Sequence, residues 1–243
     1  MLDDLKHKRI LVTGATSGIG EAVVRALRDA DAQVLAVGRN VEKLTLLREI
    51  CGCDVLEADL SSPEGTEAIS LDSGPLHGAV NCAGLALLQP CLDLTAAAFD
   101  RMMSINARAA ALVSREVARR MISQGSGGAI VNVSSQAGLI ALKDHLGYAA
   151  SKAAMDAITR NLCAELGPHN IRVNSVNPTV TMTPMAKVGW SDPEKADALR
   201  NQIPMRRFAE PGEVVMPILF LLSDAAAMIS GATIPIDGGY TAV

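Results

Sequence analysis

RILVTGATSGIGEAVVRALRDADAQVLAV, residues 9–37, is the stretch that decides the fold. Arg9 to Thr13 is an aliphatic run without polar alternation, the pattern of a strand covered on both faces. It ends in a glycine-rich turn, Gly14 to Gly20, after which Glu21 to Ala30 reads as an amphipathic helix. A second buried run, Gln33 to Val37, completes a strand–turn–helix–strand unit. The glycine spacing is GxxxGxG rather than GxGxxG, but the physics is the same. Gly14 permits the tight turn, Gly18 lets backbone approach a pyrophosphate, and Gly20 allows close packing of the helix. Ser17 and Ile19 belong to the same surface, where helix N-terminal N–H groups receive an anion. The unit predicts a dinucleotide site.

The end of the second strand bears on which dinucleotide. An acidic residue there would hold a ribose 2′-hydroxyl and select NAD, but Gly38-Arg39-Asn40 contains no acid. The forked guanidinium of Arg39 suits a 2′-phosphate, so NADP(H) is the expected cofactor, with NAD(H) still open.

Working outward, a helix is expected from Val41 to about Ile50, then a strand at 54–58 that ends at Asp59-Leu60. Ser61-Ser62-Pro63-Glu64 has the cap, proline and early acid of a helix start. A strand from Gly78 to Asn81 opens into Asn81-Cys82-Ala83-Gly84, small enough for backbone to lie against a cofactor ribose. A long helix, about 96–121, carries Asn106, a mid-helix amide that needs a specific partner if buried. Further strands are expected at Ile130–Val133, Ile171–Val176 and Thr233–Ile236, with a last helix at Pro211–Leu222. Residues 181–202, loop-like and then helical from Ser191-Asp192-Pro193-Glu194, form an insertion suited to a lid and hold Trp190, the only tryptophan. Seven strands alternating with helices mean an α/β chain. The expectation is a single-domain doubly wound parallel sheet over 1–243, helices on both faces, ligands outside the strands' carboxyl ends.

IVNVSSQAGLIALKDHLGYAASK, residues 130–152, supplies candidate chemistry at one of those ends. Ser135 closes the strand, and Tyr148 and Lys152, four apart, share one face of the helix that follows. An ammonium one turn from a phenol favours its ionised form, which readies the phenol for proton transfer.

Composition excludes several classes. The chain is 49% hydrophobic and 2% aromatic, so its core is aliphatic. A formal charge of −4 and the lack of a basic block argue against nucleic-acid binding. No apolar run approaches a membrane span, and MLDDLKHKR has no signal-peptide core. The five cysteines are odd in number and show no CxxC spacing, so reduced thiols in the cytoplasm, and no metal site, are expected.

Taken together, TGATSGIG at 13–20, NCAG at 81–84, Asn106, Ser135, Tyr148-x-x-x-Lys152 and NP at 177–178 resemble the short-chain dehydrogenase/reductase family across nearly the whole chain. The resemblance implies that Tyr148 is the general acid in carbonyl reduction and that Ser135 holds the substrate oxygen. It implies that Lys152 binds the nicotinamide ribose and assists Tyr148, while Asn106 anchors a water that relays protons. Asp59 and Leu60 would sit by the adenine, with Thr183 and the backbone near Val180 at the carboxamide. Three positions depart from the family pattern: Cys82 replaces a usual Asn, Thr179 a usual Gly, and Ser17 the Lys or Arg of many NADP-dependent members.

Within the family, LALLQP at 85–90, ELGPHNIRVNSVNPTVTMTPM at 165–185 and WSDPEKA at 190–196 are similar to its tetrameric reductases of ketoses and α-dicarbonyls. That similarity implies Gln136, His145 and Trp190 as pocket residues, and a homotetramer. From the residues alone, His145 could equally stand in solvent at a helix start, and Trp190 could pack on a neighbouring subunit. The expected activity is NADPH-dependent reduction of small polar ketones such as L-xylulose. The alternatives are a 3-oxoacyl-thioester reductase and a dinucleotide-sensing binding protein without turnover.

Overall fold

The structure is a computed structural model that describes residues 2–72 and 74–243, with the side chains of Leu71 and Met185 left aside. Met1 and Ser73, which the expected domain 1–243 includes, lie outside the described residues. Among the described residues, seven strands form one sheet: β1 (Arg9–Thr13), β2 (Gln33–Gly38), β3 (Asp54–Glu57), β4 (Gly78–Asn81), β5 (Gly128–Val133), β6 (Ile171–Pro178) and β7 (Thr233–Ile236). Their order is β3-β2-β1-β4-β5-β6-β7, and every neighbouring pair is parallel. The chain winds one way from β1 to β3 and the other way from β4 onward. The carboxyl ends of β1 and β4, where Thr13 lies opposite Asn81, are therefore the switch point at which such sheets bind ligands.

The strands read as unbroken apolar runs because helices cover both faces. On one face α1 (Gly18–Asp29) buries Val23, Val24 and Leu27, α2 (Val41–Cys51) buries Leu44 and Leu47, and α9 (Pro211–Leu222) buries Val214, Ile218 and Leu221. On the other, α5 (Ala109–Gln124) buries Val113, Val117 and Met121, and Leu162 and Leu166 of α6 (Leu146–Leu166) pack beside them.

Boundaries differ from expectation where local signals compete with tertiary contacts. Helix α1 starts at Gly18, three residues before the first periodic residue, because the glycine turn itself enters the helix. Strand β6 runs on to Pro178, held by pairing with β7 at Asn177 and Pro178. The helix expected over 96–121 is α4 (Ala96–Met102), a π turn at Met103–Arg108, and then α5. The insertion holds two helices. Thr183 caps the short α7 (Pro184–Gly189), its hydroxyl accepting from Ala186 N–H at 3.2 Å, and Asp192 caps α8 (Pro193–Arg200). Ser62 caps α3 (Pro63–Glu67) as its sequence suggests. No described helix is long and apolar enough to cross a membrane.

Candidate active site

At the switch point the glycine turn and the loop after β4 press together. Thr13 Oγ1 accepts from the N–H groups of Cys82 and Ala83 at 3.0 and 3.1 Å, which pins that loop to the end of β1. Gly14 has φ +64°, and a Cβ on it would fall 2.8 Å from Ala83 backbone. A Cβ on Gly20 would come within 2.3 Å of the Gly14 carbonyl oxygen, so no larger residue fits there.

Two adjoining hollows open at this edge. One, of about 350 Å³, is lined by Gly18, Ser135, Tyr148, Lys152, Thr181 and Thr183. The other, of about 170 Å³, is lined by Thr16, Arg39, Asp59, Leu60, Arg101 and Ile105. Gly14, Ser17, Gly84 and Leu85 border both, so they are two halves of one cleft. The cleft fits a dinucleotide: a side-chain-free cradle at Gly14, the first turn of α1 beside it, and an exposed guanidinium at the far end.

Charge is distributed unevenly along the cleft. The Ser61 backbone N–H, 3.0 Å from Asp59 Oδ1, and the Ser61 hydroxyl hold the Asp59 carboxyl below the usual carboxylate range, with Arg39 and Arg101 adding to the effect. Asp59 therefore stays an acceptor at neutral pH. Burial pushes the Cys82 thiol up to about 12, against the opposing pull of Lys152, so it lines the wall as a small neutral group.

The reactive wall is built from β5 and α6. Lys152 is buried, donates from Nζ to the Val133 carbonyl at 2.8 Å, and sits 5.8 Å from the Tyr148 ring centre. Ser134 Oγ donates to the Lys152 carbonyl at 3.1 Å, which ties the strand end to the helix. Ser135 Oγ accepts from Ala137 N–H at 3.1 Å. Ser135, Tyr148 and Lys152 thus line the same hollow, as their spacing suggests.

Asn106 stands behind that wall. Its Oδ1 accepts from Leu85 N–H at 2.8 Å, and its Nδ2 donates to Leu85 O and Ser151 Oγ, each at 2.8 Å. Ser151 Oγ in turn donates to the Tyr148 carbonyl at 2.7 Å. Asn106 lies within the π turn, a feature frequent at functional sites. A Cβ on Gly84 would lie 3.6 Å from both Asn106 Oδ1 and Lys152 Nζ.

Several other residues singled out by sequence sit elsewhere than a lining role requires. The Asn81 side chain lies within the fold and donates to Ser114 Oγ and Asn132 Oδ1 at 2.9 and 2.8 Å. Gln136 is buried, its Oε1 without a partner, and does not border the hollow. Val180 packs with Phe208 and Ile203, and its carbonyl accepts from Ala209 N–H at 3.0 Å. His145 stands edge-on to Tyr148, ring centres 6.2 Å apart. Trp190 turns from the cleft onto Phe208 at 5.4 Å, with Lys195 Nζ 4.7 Å over its ring, because an indole gains more from that apolar cluster.

Sequence reading missed Thr13, Thr16, Arg101, Ile105 and Thr181. Arg101 and Ile105 are four apart and so share a helix face, a signal that means nothing until the sheet shows which face meets the cleft. Among the described residues no cluster of three or more His, Cys, Asp or Glu could hold a metal, and all five cysteines are free.

A fold and site of this kind define a nucleotide-dependent oxidoreductase, and the chain belongs to the short-chain dehydrogenase/reductase family. The family profile described as enoyl-(acyl carrier protein) reductase matches residues 14–241. The chain is 49% identical to the L-xylulose reductase of Bos taurus over 239 residues, 98% of each. It is 46% identical to a carbonyl reductase of Sus scrofa, named for NADPH, over 235 residues and 96% of each. A crystal structure of a short-chain type dehydrogenase/reductase from Mycobacterium marinum superposes with a TM-score of 0.90 at 33% identity, covering 100% of this chain and 98% of that one. Members of this family bind NAD(P), for which the cleft has the cradle.

Proposed function

We propose that this chain is an NADPH-preferring reductase of small polar ketones, ketoses such as L-xylulose and α-dicarbonyls, reversible with the secondary alcohol. The observation that carries this reading is the single cleft in which Ser135, Tyr148 and Lys152 meet the mouth of the glycine turn. The printed names of the relatives support the substrate class, and Arg39 at the end of β2 supports the cofactor preference.

Bound nicotinamide supplies the hydride. Gly14, Ser17, Gly18, Ile19 and Gly20 hold its pyrophosphate, Arg39 the 2′-phosphate, Asp59 and Leu60 the adenine. Backbone at Asn81, Ala83 and Gly84, with Lys152, meets the riboses; backbone near Val180, with Thr183, meets the carboxamide. The Ser135 hydroxyl donates a hydrogen bond to the substrate carbonyl oxygen. As that carbon accepts the hydride pair, the oxygen takes the Tyr148 proton, and the alcohol is complete. The cation of Lys152 stabilises the phenolate left behind. Asn106 has its side-chain amide committed to Leu85 and Ser151, so its help to a proton relay comes through backbone.

Substrate polarity follows from His145, which stands edge-on to Tyr148. A purely apolar ketone offers that imidazole no polar partner, at a cost of about 1–3 kcal/mol. Ketopentoses and vicinal diketones should therefore exceed long acyl thioesters by about tenfold or more in kcat/KM, a margin that narrows in His145→Ala. NADPH and NADH oxidation over that panel checks both halves of the reading. A wild type that prefers the thioester would instead favour a 3-oxoacyl-thioester reductase.

Assembly as a homotetramer in the cytoplasm belongs to the same proposal. Exposed Leu92, Val188 and Met228 support burial against further copies, and five free thiols suit a reducing compartment. Light scattering of the purified chain tests the tetramer.

A further inference from the structure

We propose that Asp156 is a positioning residue for Ser135, acting through Asn177. Asp156 follows Lys152 by one helical turn, so α6 presents Tyr148, Lys152 and Asp156 in a row. Its side chain is buried, and both of its donors come from one face of β6. Ser175 Oγ donates to Oδ1 at 2.7 Å, and Asn177 Nδ2 donates to Oδ2 at 2.9 Å. The same Asn177 amide donates to the Ser135 carbonyl at 2.9 Å, and Gly138 N–H donates to that carbonyl as well. The loop carrying Ser135 is thus clamped between its own turn and a side chain whose orientation Asp156 sets.

The turn also rests directly on the carboxyl group. A Cβ on Gly138 would fall 2.8 Å from Asp156 Oδ2, so the 136–138 segment can approach this closely only as glycine. Without Asp156, the Asn177 amide loses one of the three hydrogen bonds that hold the rotamer reaching Ser135, and the Ser175 hydroxyl and the Asn177 amide each lose an acceptor. Displacement of a reacting group by a fraction of an ångström is costly in rate while leaving cofactor contacts alone.

This inference rests on Ser135 as the group that holds the substrate oxygen. The test measures kcat and KM with the best ketone of the panel, NADPH affinity by fluorescence titration, and thermal unfolding, all on the full chain. Asp156→Ala should lower kcat about tenfold with NADPH affinity within about twofold of wild type. Asp156→Asn should restore kcat to within about threefold, because its amide can accept from Asn177 and donate to Ser175 Oγ. Ser175 Oγ already lies 2.9 Å from Asn177 Oδ1 and can donate there. In a Ser135→Ala background, Asp156→Ala should cost less than about twofold more in kcat, since both changes act on one group.

Asp156→Ala that folds and turns over like wild type, or that costs its full factor on top of Ser135→Ala, overturns the proposal. An Asp156→Asn variant as slow as the alanine overturns it too. Should Asp156→Ala not fold, Asn177→Ser, whose short side chain cannot span from Asp156 to Ser135, carries the same expectation. If neither folds, the network is a folding requirement and the positioning role is rejected. A Ser135→Ala enzyme with full turnover would show instead that the role given to Ser135 is wrong.

Discussion

Tyr148→Phe should lose about 10²- to 10⁴-fold in kcat while NADPH binds within about threefold of wild type. The phenol proton is the only feature removed. The ring keeps its edge contact with His145, and the backbone at Tyr148 still accepts from Ser151. Lys152 keeps its hydrogen bond to Val133, so the cation stays in place while the acid is gone. Single-turnover reduction followed at 340 nm, beside a fluorescence titration with NADPH, separates the two effects. Near-normal turnover in this variant would remove Tyr148 from the chemistry and leave the proton source unassigned.

Arg39→Ala should weaken NADPH by about ten- to a hundredfold and NADH hardly at all, because a charge-assisted hydrogen bond contributes about 1.5–3 kcal/mol. The guanidinium is exposed at the rim of the smaller hollow, so the loss should shrink as ionic strength rises. The carboxylate of Asp59 and the guanidinium of Arg101 border the same hollow and bear on what remains in the variant. Titration of both cofactors at two salt concentrations reads this directly. Equal losses for the two cofactors would make Arg39 a structural residue and move cofactor preference elsewhere.

Much of the molecule is legible in its sequence because it depends on short-range chemistry. Buried runs such as Arg9–Thr13 and Ile130–Val133, the glycines at 14, 18 and 20, and the caps Ser62 and Asp192 are local facts. Each local choice agrees with the same parallel sheet, and for that reason the architecture follows from them. The four-residue step from Tyr148 to Lys152 places both on one helix face in any fold. The π turn at Met103–Arg108 left no periodic signal, since six residues are too few to separate it from an α-helix.

What sequence by itself determined, then, is the βαβ start, the seven-stranded class and the residue types of the reactive wall. The tertiary structure alone decided which side chains face the cleft. Arg101 reaches the smaller hollow only because the fold brings α4 beside Asp59 and Leu60, whereas Trp190 and Gln136 are drawn away by packing and burial. Asp156 could not be read at all, because its partners Ser175 and Asn177 lie about twenty residues further on and meet it only when β6 pairs beside β5. Spacing along the chain fixes which groups can share a face; which faces meet depends on long-range packing, and the clamp behind Ser135 exists only there.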